Sequence, residues 1–107
     1  PSESATLAAQ LDNHTRWSRG IEVLRLTLTG AQNLSGVVPD GVTPNGEMLV
    51  IHNVDTADTL TILHDSTSTA ANRFFCPGAV NLALGPHSSA LCRYDGTASR
   101  WRIVSYS

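Results

Sequence analysis

Beyond Gly20 the chain alternates between apolar and polar residues with a period of two. In Ile21–Thr29, Leu24, Leu26 and Leu28 share one face and Arg25, Thr27 and Thr29 the other, which is the mark of a half-buried strand. Thr59–His64 alternates in the same way, as do Val80, Leu82 and Leu84, then Ala90, Cys92 and Tyr94, then Trp101 and Ile103. Glu47–Asn53 is a nearly unbroken apolar run and predicts a strand buried on both faces. Short apolar stretches at Leu34–Val38 and Arg73–Cys76 add two more candidates. Turn chemistry separates them: Gly30, Pro39-Asp40-Gly41, Pro44-Asn45-Gly46, Pro77-Gly78, Gly85-Pro86 and Asp95-Gly96. About eight short strands at spacings near ten residues predict an all-β domain over residues 20–107. The expected architecture is an eight-stranded antiparallel sandwich, jelly-roll-like.

Residues 1–19 read differently, as an N-terminal arm. Ser4–Leu11 predicts a short helix, capped by Ser2 or Ser4, with Leu7 and Leu11 on one face. A helix that short does not stand alone in water. It either docks on a partner through Leu7, Leu11 and Trp17, or frays as termini do.

Composition narrows the function classes. A chain of 107 residues is one domain, and its small core leaves room for stabilisation by oligomerisation. Hydrophobic residues make up 41% and charged residues 15%, as in a globular domain with a near-neutral surface. There is no lysine; seven arginines face nine acids, for a net charge of −2. No basic run exists to neutralise phosphates, which argues against nucleic acid as a partner. No apolar stretch is long enough to span a membrane as a helix, and the N-terminus lacks the pattern of an export signal. Cys76 and Cys92 lack metal or redox spacing and read as two small buried hydrophobes; a single bridge stays open, though a reducing cytoplasm would favour thiols.

Candidate chemistry is sparse. His14, His52, His64 and His87 form no metal-ligand spacing, so no metal or cofactor is expected. His64-Asp65 is the nearest approach to a reactive pair, but neighbours on a strand point to opposite faces. Asp65 as a turn cap and His64 in local packing explain the pair more simply. No nucleophile motif or phosphate loop accompanies it, so the chain reads as a non-enzyme. Asn13-His14-Thr15 and Asn33-Leu34-Ser35 match a glycosylation sequon too short to carry weight. Trp101, between Arg100 and Arg102, is expected in the core or against a neighbouring chain, whereas Trp17 is freer and suits a sugar ring.

One series of motifs is more specific. It runs Thr61-Ile62-Leu63-His64-Asp65, a Ser/Thr/Ala loop, Ala71-Asn72-Arg73-Phe74, Pro77 through Pro86, Tyr94-Asp95-Gly96-Thr97 and Ser99-Arg100-Trp101-Arg102. In order and spacing it resembles the C-terminal β-domain of tailed-bacteriophage tail-fibre, tail-tip and head-decoration proteins, over residues 48–104. The resemblance implies a trimeric jelly-roll-like module on the virion exterior, assembled in the bacterial cytoplasm. The residues it carries over, Asp65, Asn72, Arg73, Tyr94, Asp95, Gly96, Arg100, Trp101 and Arg102, are structural, and no catalytic set comes with them. Read physically, Asp95-Gly96 supplies a tight loop with glycine at positive φ, and Arg73 closes the polar loop onto Asp65 through a charge-assisted bond.

Fibre proteins carry this module after a stalk, whereas here only about 20 residues precede the first expected strand. That lead favours a homotrimeric capsid decoration protein bound to the major capsid protein. The alternative is a tail-fibre or receptor-binding tip, in contact with tail proteins and recognising host-surface glycans. A third expectation, a cupin-like enzyme on the same architecture, would need a metal.

Overall fold

A computed structural model of the chain describes residues 1–41 and 44–107. Nine strands form among them: β1 Ser2–Leu7, β2 Val23–Leu28, β3 Gln32–Leu34, β4 Met48–Asn53, β5 Leu60–Ile62, β6 Phe74–Phe75, β7 Leu82–Leu84, β8 Ser89–Asp95 and β9 Arg100–Tyr106. Two short 3-10 turns, Ala70–Asn72 and Pro77–Ala79, are the only helical segments among the described residues. The β-rich class is as the alternation predicts.

The pairing is not. β1, β2 and β4 lie side by side in parallel register, Ser2 beside Val23 and Val23 beside Val50. β3 pairs in parallel with β5, and Leu11 and His14 form parallel bridges to Leu34 and Val37. The chain therefore winds three times through the same path, each pass stacked on the last. β8 then runs antiparallel to β4, β9 to β8, and β7 to β5, while β6 pairs in parallel with β9. The result is a six-stranded sheet, β1-β2-β4-β8-β9-β6, and a three-stranded sheet, β3-β5-β7. The expected eight-stranded antiparallel arrangement is thus replaced by nine strands in mixed sheets. Alternation decides which side chains point inward but says nothing of the neighbour. The links from β1 to β2 and from β2 to β4 are long enough for a crossover, which parallel pairing requires.

Stacking in register makes columns of inward side chains. Glu3, Leu24, Ile51 and Ala90 form one, and Leu49, Cys92 and Ile103 another. On the smaller sheet Leu11, Leu34, Ile62 and Leu82 line up likewise. Leu24, Leu34, Leu49, Ile51, Leu60, Ile62, Phe74, Leu84 and Trp101 are fully buried, each contributing about 1.5–3 kcal/mol by leaving water.

A polar hub turns the corner from β4 to β5. Asn53 donates through Nδ2 to the carbonyls of Asp58, Leu84 and Gly85, at 2.9, 2.9 and 3.1 Å, and accepts from the Asp55 amide at 3.0 Å. Asp55 in turn accepts from the amides of Leu28, Ala57 and Asp58, which hold its carboxyl below the usual range.

The helix expected over Ser4–Leu11 is absent, and Ser2–Leu7 is strand β1. Its own alternation was hidden by good helix formers: Ser2, Ser4 and Thr6 face out while Glu3, Ala5 and Leu7 face in. The free edge of β2 supplies the partner that fixes it. Gly20 is accordingly no break in the sheet. β4 also differs from expectation, since Leu49, Ile51 and Asn53 are buried but Met48, Val50 and His52 remain partly exposed on the outer face.

Candidate functional site

The loop from Asp65 to Arg73 links β5 to β6 and is held from three sides. Ser68 is buried, its Oγ 2.5 Å from Ser35 Oγ and accepting the Asn13 amide at 2.9 Å. Ser35 also donates to Asp12, and that bond holds the Asp12 carboxyl low. Asn13 Oδ1 accepts from the Thr69 amide at 2.7 Å and from Asn72 Nδ2 at 2.9 Å. The Tyr94 hydroxyl donates to the Ala71 carbonyl at 2.6 Å, and the Val37 amide to the Asn72 carbonyl at 3.0 Å. Gly36 makes this approach possible, because a Cβ there would lie 2.5 Å from Ser68 Cβ and 2.8 Å from the Asn72 carbonyl.

Beside the loop stands a charged corner. Asp65 Oδ1 accepts from Arg100 Nε at 2.9 Å, with a guanidinium nitrogen of Arg73 at 3.5 Å. Hydrogen bonding to Arg100, with help from Arg73, holds the Asp65 carboxyl below the usual range. Asp95 accepts from Arg102 Nε at 2.8 Å through one oxygen and from the Thr97 and Ala98 amides through the other. Arg102 and those amides likewise lower its pKa. The guanidinium groups of Arg100 and Arg102 each lie 5.2 Å from the centre of the Phe75 ring. His64 sits 5.7 Å from the same ring and accepts the Cys76 amide through Nδ1 at 3.0 Å.

The residues of the motif series are therefore brought together around this loop, β6 and β9. The Asp65–Arg73 contact is present, with Arg100 as the closer partner, which the sequence reading missed. Trp101 is fully buried; its Nε1 donates to the Val37 carbonyl at 2.8 Å, and Tyr94 meets its ring edge-on at 5.1 Å. Gly96 is needed for a reason other than the expected one. Its φ is not positive; instead a Cβ would meet Asn45 Cβ at 2.8 Å, where Asn45 Oδ1 accepts the Gly96 amide.

The proposed anchor residues do not form one surface. Leu7 lies in the core, Leu11 packs against it, and only Trp17 is open, at 68% exposure. The structure adds two buried charges that the sequence did not flag. Glu3 bonds His14 Nε2 at 2.7 Å and accepts the Trp17 amide at 2.7 Å. Arg16 reaches the Ile21 and Val38 carbonyls and Glu47, with Trp101 5.7 Å from its guanidinium. Nothing local marks either one; their partners come from other passes of the chain.

Reactive constellations are sparse. The Ser68–Ser35–Asp12 chain has no imidazole bonded to it among the described residues. Among those residues no group of three or more metal-ligating side chains converges. Both cysteines are free and buried, and burial pushes the Cys76 thiol up to about 11 and that of Cys92 further still.

The outer face of the six-stranded sheet carries an apolar row. Val23, Val50 and Leu91 stand in register across β2, β4 and β8, and Val104 follows at the bulge in β9. Met48 and Val104 are exposed at 38% and 53%. A sheet with one solvated face ordinarily alternates to polar residues there. Comparison of the chain with models of known protein families, with curated proteins and with solved structures finds no match.

Proposed function

We propose that this chain is a non-enzymatic structural protein of a tailed-bacteriophage virion, a homotrimer that decorates the capsid by binding the major capsid protein. The observation that carries the reading is the apolar outer row from Val23 through Val50 and Leu91 to Val104, with Met48 beside it. The row is half-buried at Val23, Val50 and Leu91 and open at Met48 and Val104; a contiguous apolar row on a solvated sheet face marks a contact with another chain, and a three-fold ring of copies covers it. The motif series from Thr61 to Arg102 supplies the virion context. Sedimentation at micromolar concentration is expected to give three times the 11.4 kDa chain mass, and Val104→Asp to give a folded monomer. A wild-type monomer under those conditions removes the trimer.

Capsid attachment falls to Trp17, since Leu7 and Leu11 are engaged within the domain. Trp17→Ala is expected to abolish binding to purified capsids and leave the trimer intact; undiminished binding sinks this placement. Removing residues 1–19 is not a clean test, because it strips β1 from the sheet.

The exposed Trp17 indole also favours a second reading, a tail-fibre tip that stacks on host-surface glycans. Adsorption to host cells that Trp17→Ala abolishes, without capsid binding by the wild type, selects that reading.

A further inference from the structure

We propose that Arg100 and Arg102, which flank the Phe75 ring, form with the adjacent Arg73 a binding site for an oxyanion, a carboxylate or a phosphate; Arg73 stands beside Asp65 and donates through Nε to the Ser68 carbonyl. The inference is independent of the virion placement. Three cations stand here against two carboxylates, on a chain whose net charge is −2. Asp95 holds Arg102 through Nε alone, so both terminal nitrogens of that guanidinium lack an acceptor among the described residues. Arg100 spends Nε on Asp65 and one terminal nitrogen on the Ala98 and Ser99 carbonyls, which leaves the other terminal nitrogen free among the same residues. The free ends belong to groups whose position is already fixed.

That fixing is what separates the cluster from solvated surface charge. Phe75 holds two guanidinium groups at 5.2 Å each, and Asp65 draws Arg73 and Arg100 to a single oxygen. A planar fork held in place loses little freedom when it takes a bidentate oxyanion. Arg102 is half exposed, at 53% of its side chain, so a ligand reaches it. Folding alone gains little from the arrangement. Arg93 is paired with Arg102 on the same outer face, a like-charge opposition that costs stability, and its side chain turns away to the Gly46 carbonyl. An oxyanion in the corner offsets the repulsion among the three that remain.

The test is a titration of the intact protein, followed through the arginine Nε–Hε resonances. Inorganic phosphate and glucuronate are the two probes, with chloride at matched ionic strength as the control. Saturable shifts of the Arg100 and Arg102 signals are expected with at least one probe, and the tighter one identifies phosphate or carboxylate as the natural chemistry. Arg102→Gln is expected to weaken binding about tenfold, whereas Arg93→Gln leaves it unchanged. Shifts that are linear in concentration, or equal with chloride, overturn the site. So does equal weakening by the two substitutions. The wild-type titration decides the matter alone if Arg102→Gln fails to fold.

Discussion

At Gly36 the chain has no room for a methyl group: a Cβ would lie 2.5 Å from Ser68 Cβ and against the Asn72 carbonyl. Both neighbours are pinned by several hydrogen bonds, so neither yields. Gly36→Ala is expected to cost about 2 kcal/mol, read as a lower urea midpoint with an unchanged slope; an unchanged midpoint would mean that the loop gives way. Nothing near Gly36 in the sequence announces this, since Ser35-Gly36-Val37 lies within an apolar stretch and the constraint comes from Ser68. Gly96 teaches the same lesson, a turn glycine whose real constraint is Asn45. Trp101 stands at the other extreme. Its flanking arginines turned it towards either the core or a neighbouring chain, and it lies in the core.

Single elements were legible where local pattern suffices. β2, β8 and β9 follow their alternation, and the buried faces are those read from Leu24, Cys92 and Ile103. β1 was not legible, because Glu3 and Ala5 favour a helix until β2 offers an edge. The loop from Asp65 to Arg73 lies between these cases: its closing pair could be named, but Asn13, Ser35 and Arg100 arrive from elsewhere. Its central carboxylate also makes the loop acid-sensitive. The tie of Asp65 to Arg100 is fully present above the ordinary aspartate value of about 4 and is lost as pH falls through the lowered one. Asp65→Asn is therefore expected to cost about 1 kcal/mol at pH 7, limited by solvent screening of a partly exposed pair. The gap from wild type should narrow progressively as pH falls below about 4 in urea denaturation. A gap that stays constant with pH would assign the loss to packing.

For the whole molecule, parallel winding leaves an end. β1 is the outermost strand of its sheet, and its free edge is open to another strand. Glu3 points inward at that end, in the column continued by Leu24 and Ile51, and pairs with His14. An inward charge on an edge strand discourages a further layer from stacking. Glu3→Leu is expected to raise the scattering mass above that of wild type, increasingly with concentration; no rise would leave the edge protected by other means. The same winding sets a mechanical property. β1, β2, β4 and β9 all run one way, with β8 reversed between the last two. The two termini consequently leave the sheet at opposite ends, and tension between them strains many backbone hydrogen bonds sideways at once. Single-molecule pulling from Pro1 and Ser107 should rupture the fold at a higher force than pulling from Pro1 and Glu22, which peels β1 off one bond at a time. A chain gripped at one terminus and dragged at the other would meet force along its strong axis.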